Sequence, residues 1–111
     1  MNILSAALAT IVVAAPVLGA AATQDTQAEM QSFMDAHHKM MAAMEGMKAT
    51  GDADKDFVMM MIPHHQGAID MAKVEVQYGK DPMLREMAQQ IITSQQKEID
   101  EMKAWQQKNG M

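Results

Sequence analysis

Residues 51–82 read GDADKDFVMMMIPHHQGAIDMAKVEVQYGKDP, and this stretch decides the fold. The acidic turn 52–56 offers carboxylates that cap a helix and favour its N-terminus. Helix formers follow as far as Tyr78, and Gly79 is suited to end the helix. Asp81-Pro82 then supplies an N-cap and a first-turn proline, which together start another helix. The stretch predicts one complete helix and a short connection to an antiparallel neighbour.

Pro63 lies inside this helix, directly before His64. A proline there removes one backbone donor and clashes with the carbonyl of Met59, so a kink is expected. The alternative is that the helix starts at Pro63 and that residues 54–62 form a separate turn. Because residues 57–62 contain no turn formers, we expect a kinked continuous helix.

Two further helices are expected on either side of this stretch. One runs from about Thr26 to Ala49, before Gly51, and the other runs from Pro82 to about Lys108. The last helix carries an apolar stripe that needs a partner, formed by Leu84, Ala88, Ile91, Ile99, Met102 and Trp105. We interpret these as packing residues. The expected fold is all-α, a small antiparallel bundle of three helices, with pairing of two chains into a larger bundle as the alternative.

The first 22 residues resemble a secretory signal peptide. An apolar run from Ile3 to Ala15 is followed by Pro16 and the small residues 19–22. The n-region has no Lys or Arg, and a retained membrane anchor is the alternative, although the run is short for a bilayer span. We therefore expect a signal peptide over 1–22, a helical domain over 23–111, and a periplasmic or otherwise exported protein.

The composition restricts the function further. The formal net charge is −5 and no basic stripe is present, so nucleic acid is not an expected partner. The chain has no cysteine but 15 methionines. Methionine at helical spacing usually fills a core. Here methionine occupies two successive positions, 40–41, and three successive positions, 59–61. Successive residues on a helix point in different directions, so some of these side chains must be exposed or lie at an interface.

All four histidines fall in two copies of one pattern, Met-x-x-His-His followed by a further Met. The members are Met34, His37, His38 and Met44 in the first copy, and Met61, His64, His65 and Met71 in the second. Residues three or four apart share a helix face, so each His pair has thioethers one turn away, Met41 included. Thioether and imidazole together favour copper, and thioether selects Cu(I).

A helical hairpin centred on Gly51 would bring the two copies to one level. In that register His38 lies opposite His64, and His37 lies opposite His65. Met41 would then lie opposite Met61. The candidate metal ligands are therefore His64, His65, Met61, Met71, His37, His38, Met34, Met41 and Met44. No Glu-x-x-His pair supports a di-iron carboxylate site, and no nucleophile motif is present, so we do not expect an enzyme.

The segment Met61-Ile-Pro-His-His65, with Tyr78-Gly-Lys-Asp-Pro82 and the Leu84–Trp105 stripe, resembles a known family. It is similar to a bacterial exported family long described as a domain of unknown function, within the ferritin-like helical clan, which includes CopM-type periplasmic copper-binding proteins. The resemblance implies a helical bundle in the cell envelope that binds copper for tolerance or carriage. By the matching motif, the resemblance also implies four copper ligands in this chain: His64, His65, Met61 and Met71.

The expected function is therefore an exported copper-binding protein that holds Cu(I), with Cu(II) or Ag(I) as alternative ions. Its expected partners are the copper ion and another envelope copper protein. A ferritin-like bundle has four helices and this chain has three after the signal peptide, which favours a homodimer. The alternative function is a metal-independent, methionine-rich helical interaction module, because exposed methionines adapt to varied partners.

Overall fold

The structure is a computed structural model that describes residues 18–111, with side chains described from residue 22. It contains three helices in this range, α1 (Leu18–Met44), α2 (Ala53–Tyr78) and α3 (Pro82–Lys108). The expected all-α fold with antiparallel neighbours is confirmed. Of the predicted signal peptide, residues 1–17 lie outside the described residues, and residues 18–22 begin α1.

Side-chain caps start α2 and α3 where the sequence predicts them. The Asp52 carboxylate accepts hydrogen bonds from the backbone N–H groups of Asp54 and Lys55 at 2.9 and 3.2 Å. The Asp81 carboxylate accepts one from the N–H of Leu84 at 3.0 Å, and Pro82 is the first helical residue. Each cap satisfies donors that have no partner inside the helix.

Pro63 does not interrupt α2. The helix is continuous from Ala53 to Tyr78 with Pro63 buried inside it. The alternative in which the helix starts at Pro63 is therefore wrong, and residues 54–62 are helical. The missing backbone donor is tolerated because the flanking turns are held by packing on both sides of α2.

The connection between α1 and α2 differs from the expected one. α1 (Leu18–Met44) is already helical at the first described residue rather than from about Thr26, and it ends at Met44 rather than near Ala49. The helix ends early because Gly46 adopts a φ of 77°, in the left-handed region that glycine enters without strain. The chain then runs through an eight-residue loop, 45–52, instead of a tight turn at Gly51.

A side-chain clamp holds this loop against α2. The backbone N–H of Thr50 donates to the Asp56 carboxylate at 2.8 Å, and the Thr50 hydroxyl donates to the same oxygen at 2.7 Å. These two donors stabilise the charged carboxylate and lower the pKa of Asp56 below its ordinary value of 3.8.

α2 is the middle helix of a single layer. Gly67 faces α1, because a Cβ placed on it would lie within 2.7 Å of the Met40 sulfur. His65 faces α3, because its ring bonds to Glu98. Two residues correspond to about 200° around a helix, so α1 and α3 pack on opposite sides of α2. Within residues 18–111, the backbones of α1 and α3 do not approach each other closely, and side chains of both line one hollow together with α2.

This layer encloses a small core. The buried apolar side chains belong to Ala36, Val58, Ile69, Ala72, Val74, Ala88 and Ile99. Of the described side chains, Ile69 and Ile99 are the large ones with less than 2% of their surface exposed. Residues 22–31 of α1 are exposed throughout. In the described part of the chain no helix is both long and apolar enough to span a membrane.

Candidate metal site

A groove between α2 and α3 brings sulfur, imidazole and aromatic groups together. Its volume is about 570 Å³, and it is lined by Asp54, Phe57, Val58, Met61, His65, Glu98, Glu101, Met102 and Trp105. Met61 and His65 lie one turn apart on α2. Glu98, Met102 and Trp105 follow at spacings of four and three on α3, so they share one face of that helix.

His65 is the buried polar residue at the floor of this groove. Its Nδ1 lies 2.9 Å from the carbonyl oxygen of Met61, and its Nε2 lies 2.5 Å from Glu98 Oε2. A carbonyl oxygen only accepts hydrogen bonds, so Nδ1 must carry a proton. Nε2 is therefore the nitrogen that can bind a ligand in the groove, with the ring oriented by the backbone through Nδ1.

Glu98 occupies the position next to this nitrogen. Half of its side-chain surface, 52%, is exposed, so the carboxylate can turn into solvent and leave Nε2 free. Asp54 and Glu101 also line the groove, and no lysine or arginine does. The resulting concentration of negative charge attracts cations.

The donor set suits a soft metal ion better than a hard one. The residues that could contact an ion include two thioethers and one imidazole, and the indole of Trp105 can contact a cation through its ring face. Within residues 18–111, no three His, Cys, Asp or Glu side chains form a group suited to a metal ion.

The other residues of the second Met-His-His pattern lie elsewhere. His64 is exposed, and it points about 100° away from His65 around α2. Met71 is also exposed and has no place in the groove. Only Met61 and His65 of this pattern line the groove.

The expected register between α1 and α2 is wrong. Lys39 pairs with Asp70, with 3.7 Å between Nζ and Oδ2, and Met40 packs against Gly67. The two helices are thus shifted by about six residues, roughly 9 Å, from the hairpin that would set His38 opposite His64. The early end of α1 and the long loop cause this shift. His37 and His38 are therefore not brought level with His65, and Met41 is not opposite Met61.

Most of the remaining candidates lie on one open face of the layer. We define the methionine face by the strongly exposed apolar side chains of the three helices: Met30, Met34, Met41, Phe57, Met60, Met71, Met83, Leu84 and Met87. The Lys39–Asp70 ion pair lies on the opposite side of the α1–α2 contact. The groove opens on the methionine face, since Phe57 belongs to both.

The histidines of α1 are exposed and lie apart from the groove. The rings of His37 and His38 are 6.1 Å apart between centroids and inclined at 55°. By helical spacing His37 belongs to the methionine face with Met34 and Met41, whereas His38 points away from α2. Met44 is half-buried near the end of α1. The nine candidate ligands are therefore divided between the groove, the methionine face and the outer side of α1.

Seven of the nine residues that line the groove were not among the candidate ligands from the sequence. Of these, Met102 and Trp105 were interpreted as packing residues, and Glu98 was not proposed as a ligand. The signal that could have found them is their shared helix face, on which a carboxylate, a thioether and an indole recur at successive turns. An acidic residue within an otherwise apolar stripe indicates more than packing.

Comparison with known proteins gives two matches. A family model described as a domain of unknown function, DUF305, matches residues 5–106. An uncharacterized protein, L153, of Acanthamoeba polyphaga mimivirus is 51% identical over 49 residues, which cover 44% of this chain and 32% of the relative. The aligned part thus spans about a third of that protein's length.

Proposed function

The chain belongs to the DUF305 family, and from this premise we propose that it is an exported copper-binding protein that holds Cu(I) in the groove between α2 and α3. The observation that supports this proposal is the presence of Met61, His65 and Met102 around one cavity. Two thioethers and an imidazole form a soft ligand set, which selects Cu(I) over hard cations.

His65 is the ligand whose geometry is most completely defined. Its Nδ1–H donates to the Met61 carbonyl, which orients Nε2 toward the groove. Binding of copper at Nε2 requires that this nitrogen carries no proton and that Glu98 turns away. Because Glu98 is half exposed, this movement needs no rearrangement of the backbone.

Trp105 and the carboxylates complete the proposed site. The indole ring would cover a bound monovalent cation through a cation–π contact and would limit its contact with water. Asp54 and Glu101 would raise the local concentration of the cation without taking part as soft ligands. We propose copper tolerance or carriage as the role, with another envelope copper protein as the partner and without catalysis.

The test is an anaerobic competition titration of the full chain with Cu(I) against a chromophoric chelator. His65→Ala should weaken the affinity for Cu(I) at least about tenfold, and the adjacent His64→Ala should leave it unchanged. Met61→Leu and Met102→Leu should also weaken binding, because leucine preserves the volume but removes the sulfur. Met87→Leu on the exposed part of α3 is the matched control.

The outcomes separate the possibilities. Absence of Cu(I) binding by the wild-type chain would contradict the proposed function. Loss of binding in His64→Ala but not in His65→Ala would move the site from the groove to the methionine face. Loss in the two leucine variants with unchanged far-UV circular dichroism would support thioether ligation rather than a folding defect.

A second function draws on a different observation. The methionine face exposes flexible apolar side chains from all three helices, as a docking surface does. A metal-independent interaction module would use this face and would leave the groove without a role. Copper binding accounts for both the buried His65 and its sulfur neighbours, and it is therefore the function that we prefer.

A further inference from the structure

The methionine face has no partner in the described part of the chain. Its nine defining side chains are between 42% and 65% exposed, and they come from all three helices. Monomeric proteins rarely expose contiguous apolar patches larger than a few hundred Å². Removing apolar methionine surface from water is favourable, and this gain must exceed the side-chain freedom that is lost on burial.

The opposite face of the same layer is mixed in character. There Asp70 accepts a hydrogen bond from Gln66 at 3.0 Å and pairs with Lys39, beside an apolar hollow that includes Met59 and Ile62. On α3, Gln96 donates to Asp100 at 3.0 Å. The strongly exposed apolar side chains of the helices thus lie on one side of the layer, as expected of a half-domain whose second layer is missing.

The small core points to the same conclusion. A domain normally encloses its core between two layers of secondary structure, and one layer of three helices encloses only a small one. Within residues 18–111 the nearly inaccessible large side chains are Ile69 and Ile99, one on each of the packed helices α2 and α3. Burial of this extent is little for a domain without disulfides.

We propose that a second copy of this chain packs on the methionine face, so that two three-helix layers form one symmetric dimer with a shared core. The available area fits such a dimer. Two helices about 39 Å long, flanked by about 15 residues of α1 and spaced 9 Å apart, present roughly 900 Å² per chain when the polar side chains of this side are counted with the apolar ones. A stable interface requires about 800 Å² per partner.

Several features favour a second copy over an unlike partner. An isologous contact pairs the face with itself, so a single apolar face is covered in both chains and no open surface remains for further growth. Methionine side chains are unbranched and flexible, so two such faces can interdigitate without exact shape complementarity. The Lys39–Asp70 and Gln96–Asp100 pairs stay in solvent on the outer sides of the dimer.

This proposal does not depend on copper, because the apolar area drives the association of the chains. We therefore expect the dimer to form in the absence of metal.

The test is sedimentation velocity of the full chain in the presence of a metal chelator, over a range of protein concentrations. The molar mass obtained from sedimentation of the wild-type chain should be twice that of one chain. Met71→Lys combined with Met87→Lys should raise the dimer Kd at least about a hundredfold, because each charge would be buried twice in the symmetric interface. Gln77→Lys is the matched control, since it adds the same charge to an exposed position on the opposite side of α2.

Each outcome bears on the proposal. Dissociation of the double variant with unchanged helicity, together with a dimeric Gln77→Lys variant, supports it. A monomeric wild-type chain at tens of micromolar would overturn it, as would a dimer that survives both lysines. A dimer that forms only after Cu(I) is added would also overturn it, while leaving the copper proposal intact. Binding of the monomer to lipid vesicles would identify a membrane as the occupant instead.

Discussion

Met40 of α1 packs closely against Gly67 of α2, so Gly67→Ala tests the register between the two helices. A Cβ at this position would lie 2.7 Å from the sulfur of Met40, 3.0 Å from its Cγ and 3.1 Å from its Cβ. The sulfur and Cγ can rotate away. The Cβ of Met40 is attached to the backbone, and α1 must therefore move by about 0.3 Å to restore an ordinary contact.

Two opposing terms set the magnitude of this change. Alanine is favoured over glycine in a helix interior by about 1 kcal/mol. Overpacking a close contact costs about 1–3 kcal/mol. We therefore expect Gly67→Ala to lower the free energy of unfolding by about 1 kcal/mol, although the same change at an open helical position would raise it.

The measurement is urea unfolding followed by far-UV circular dichroism at one fixed protein concentration, because dimerisation would make the midpoint depend on concentration. Lys73 is exposed in the same helix. The difference in unfolding free energy between Lys73→Ala and Lys73→Gly therefore measures the helix-propensity difference between alanine and glycine without a packing contribution. In a Met40→Gly background, Gly67→Ala should become less destabilising, because the Cβ at position 40 that forces α1 to move is then absent.

A clear result would refute this reasoning. If Gly67→Ala stabilised the protein by as much as the Lys73 pair indicates, Met40 would not pack against Gly67. The shift of the two His-His pairs relative to each other, and the placement of α1 and α3 on opposite sides of α2, would then both be wrong.

Two further predictions concern the start of α2. Asp52→Ala should lower the free energy of unfolding by about 1 kcal/mol in the same assay, because two N–H groups of α2 lose their acceptor, whereas Asp52→Asn should cost only a few tenths. An equal loss in both variants would argue against a capping role. For Asp56, a carboxylate NMR titration should give a pKa below 3.8, and Thr50→Val should raise that pKa by removing one donor. Since the folded-state pKa is the lower one, Asp56 stabilises the fold above its unfolded-state pKa, and the contribution disappears as the pH falls through the folded-state value. An Asp56 pKa at 3.8 or higher would contradict the clamp.

Local signals account for the parts of the fold that the sequence predicts well. Asp52, Asp81 and Pro82 act within one turn of their own helix ends, so their roles can be recognised without knowledge of the neighbours. The continuity of α2 through Pro63 was also expected, because residues 57–62 favour a helix. The kink itself remains a prediction.

The α1–α2 register could not be predicted in the same way. It depends on where α1 ends, and the left-handed conformation at Gly46 ends it five residues before the expected Ala49. Gly46 and Gly51 are both suited to end a helix, and nothing in their immediate surroundings decides between them. An error of a few residues in a loop moves opposite residues by a full turn or more, and this error misplaced His37 and His38 relative to His65.

The sequence by itself determined the three-helix content, the helix starts at Asp52 and Asp81, and the types of donor group available to a metal ion. These properties follow from residue identity and from contacts within a few residues. Only the tertiary structure decided that His65 rather than His64 faces α3, and that Glu98, Met102 and Trp105 join it. It also decided that the exposed methionines of three helices form one face, because that grouping depends on which side of each helix the neighbours cover.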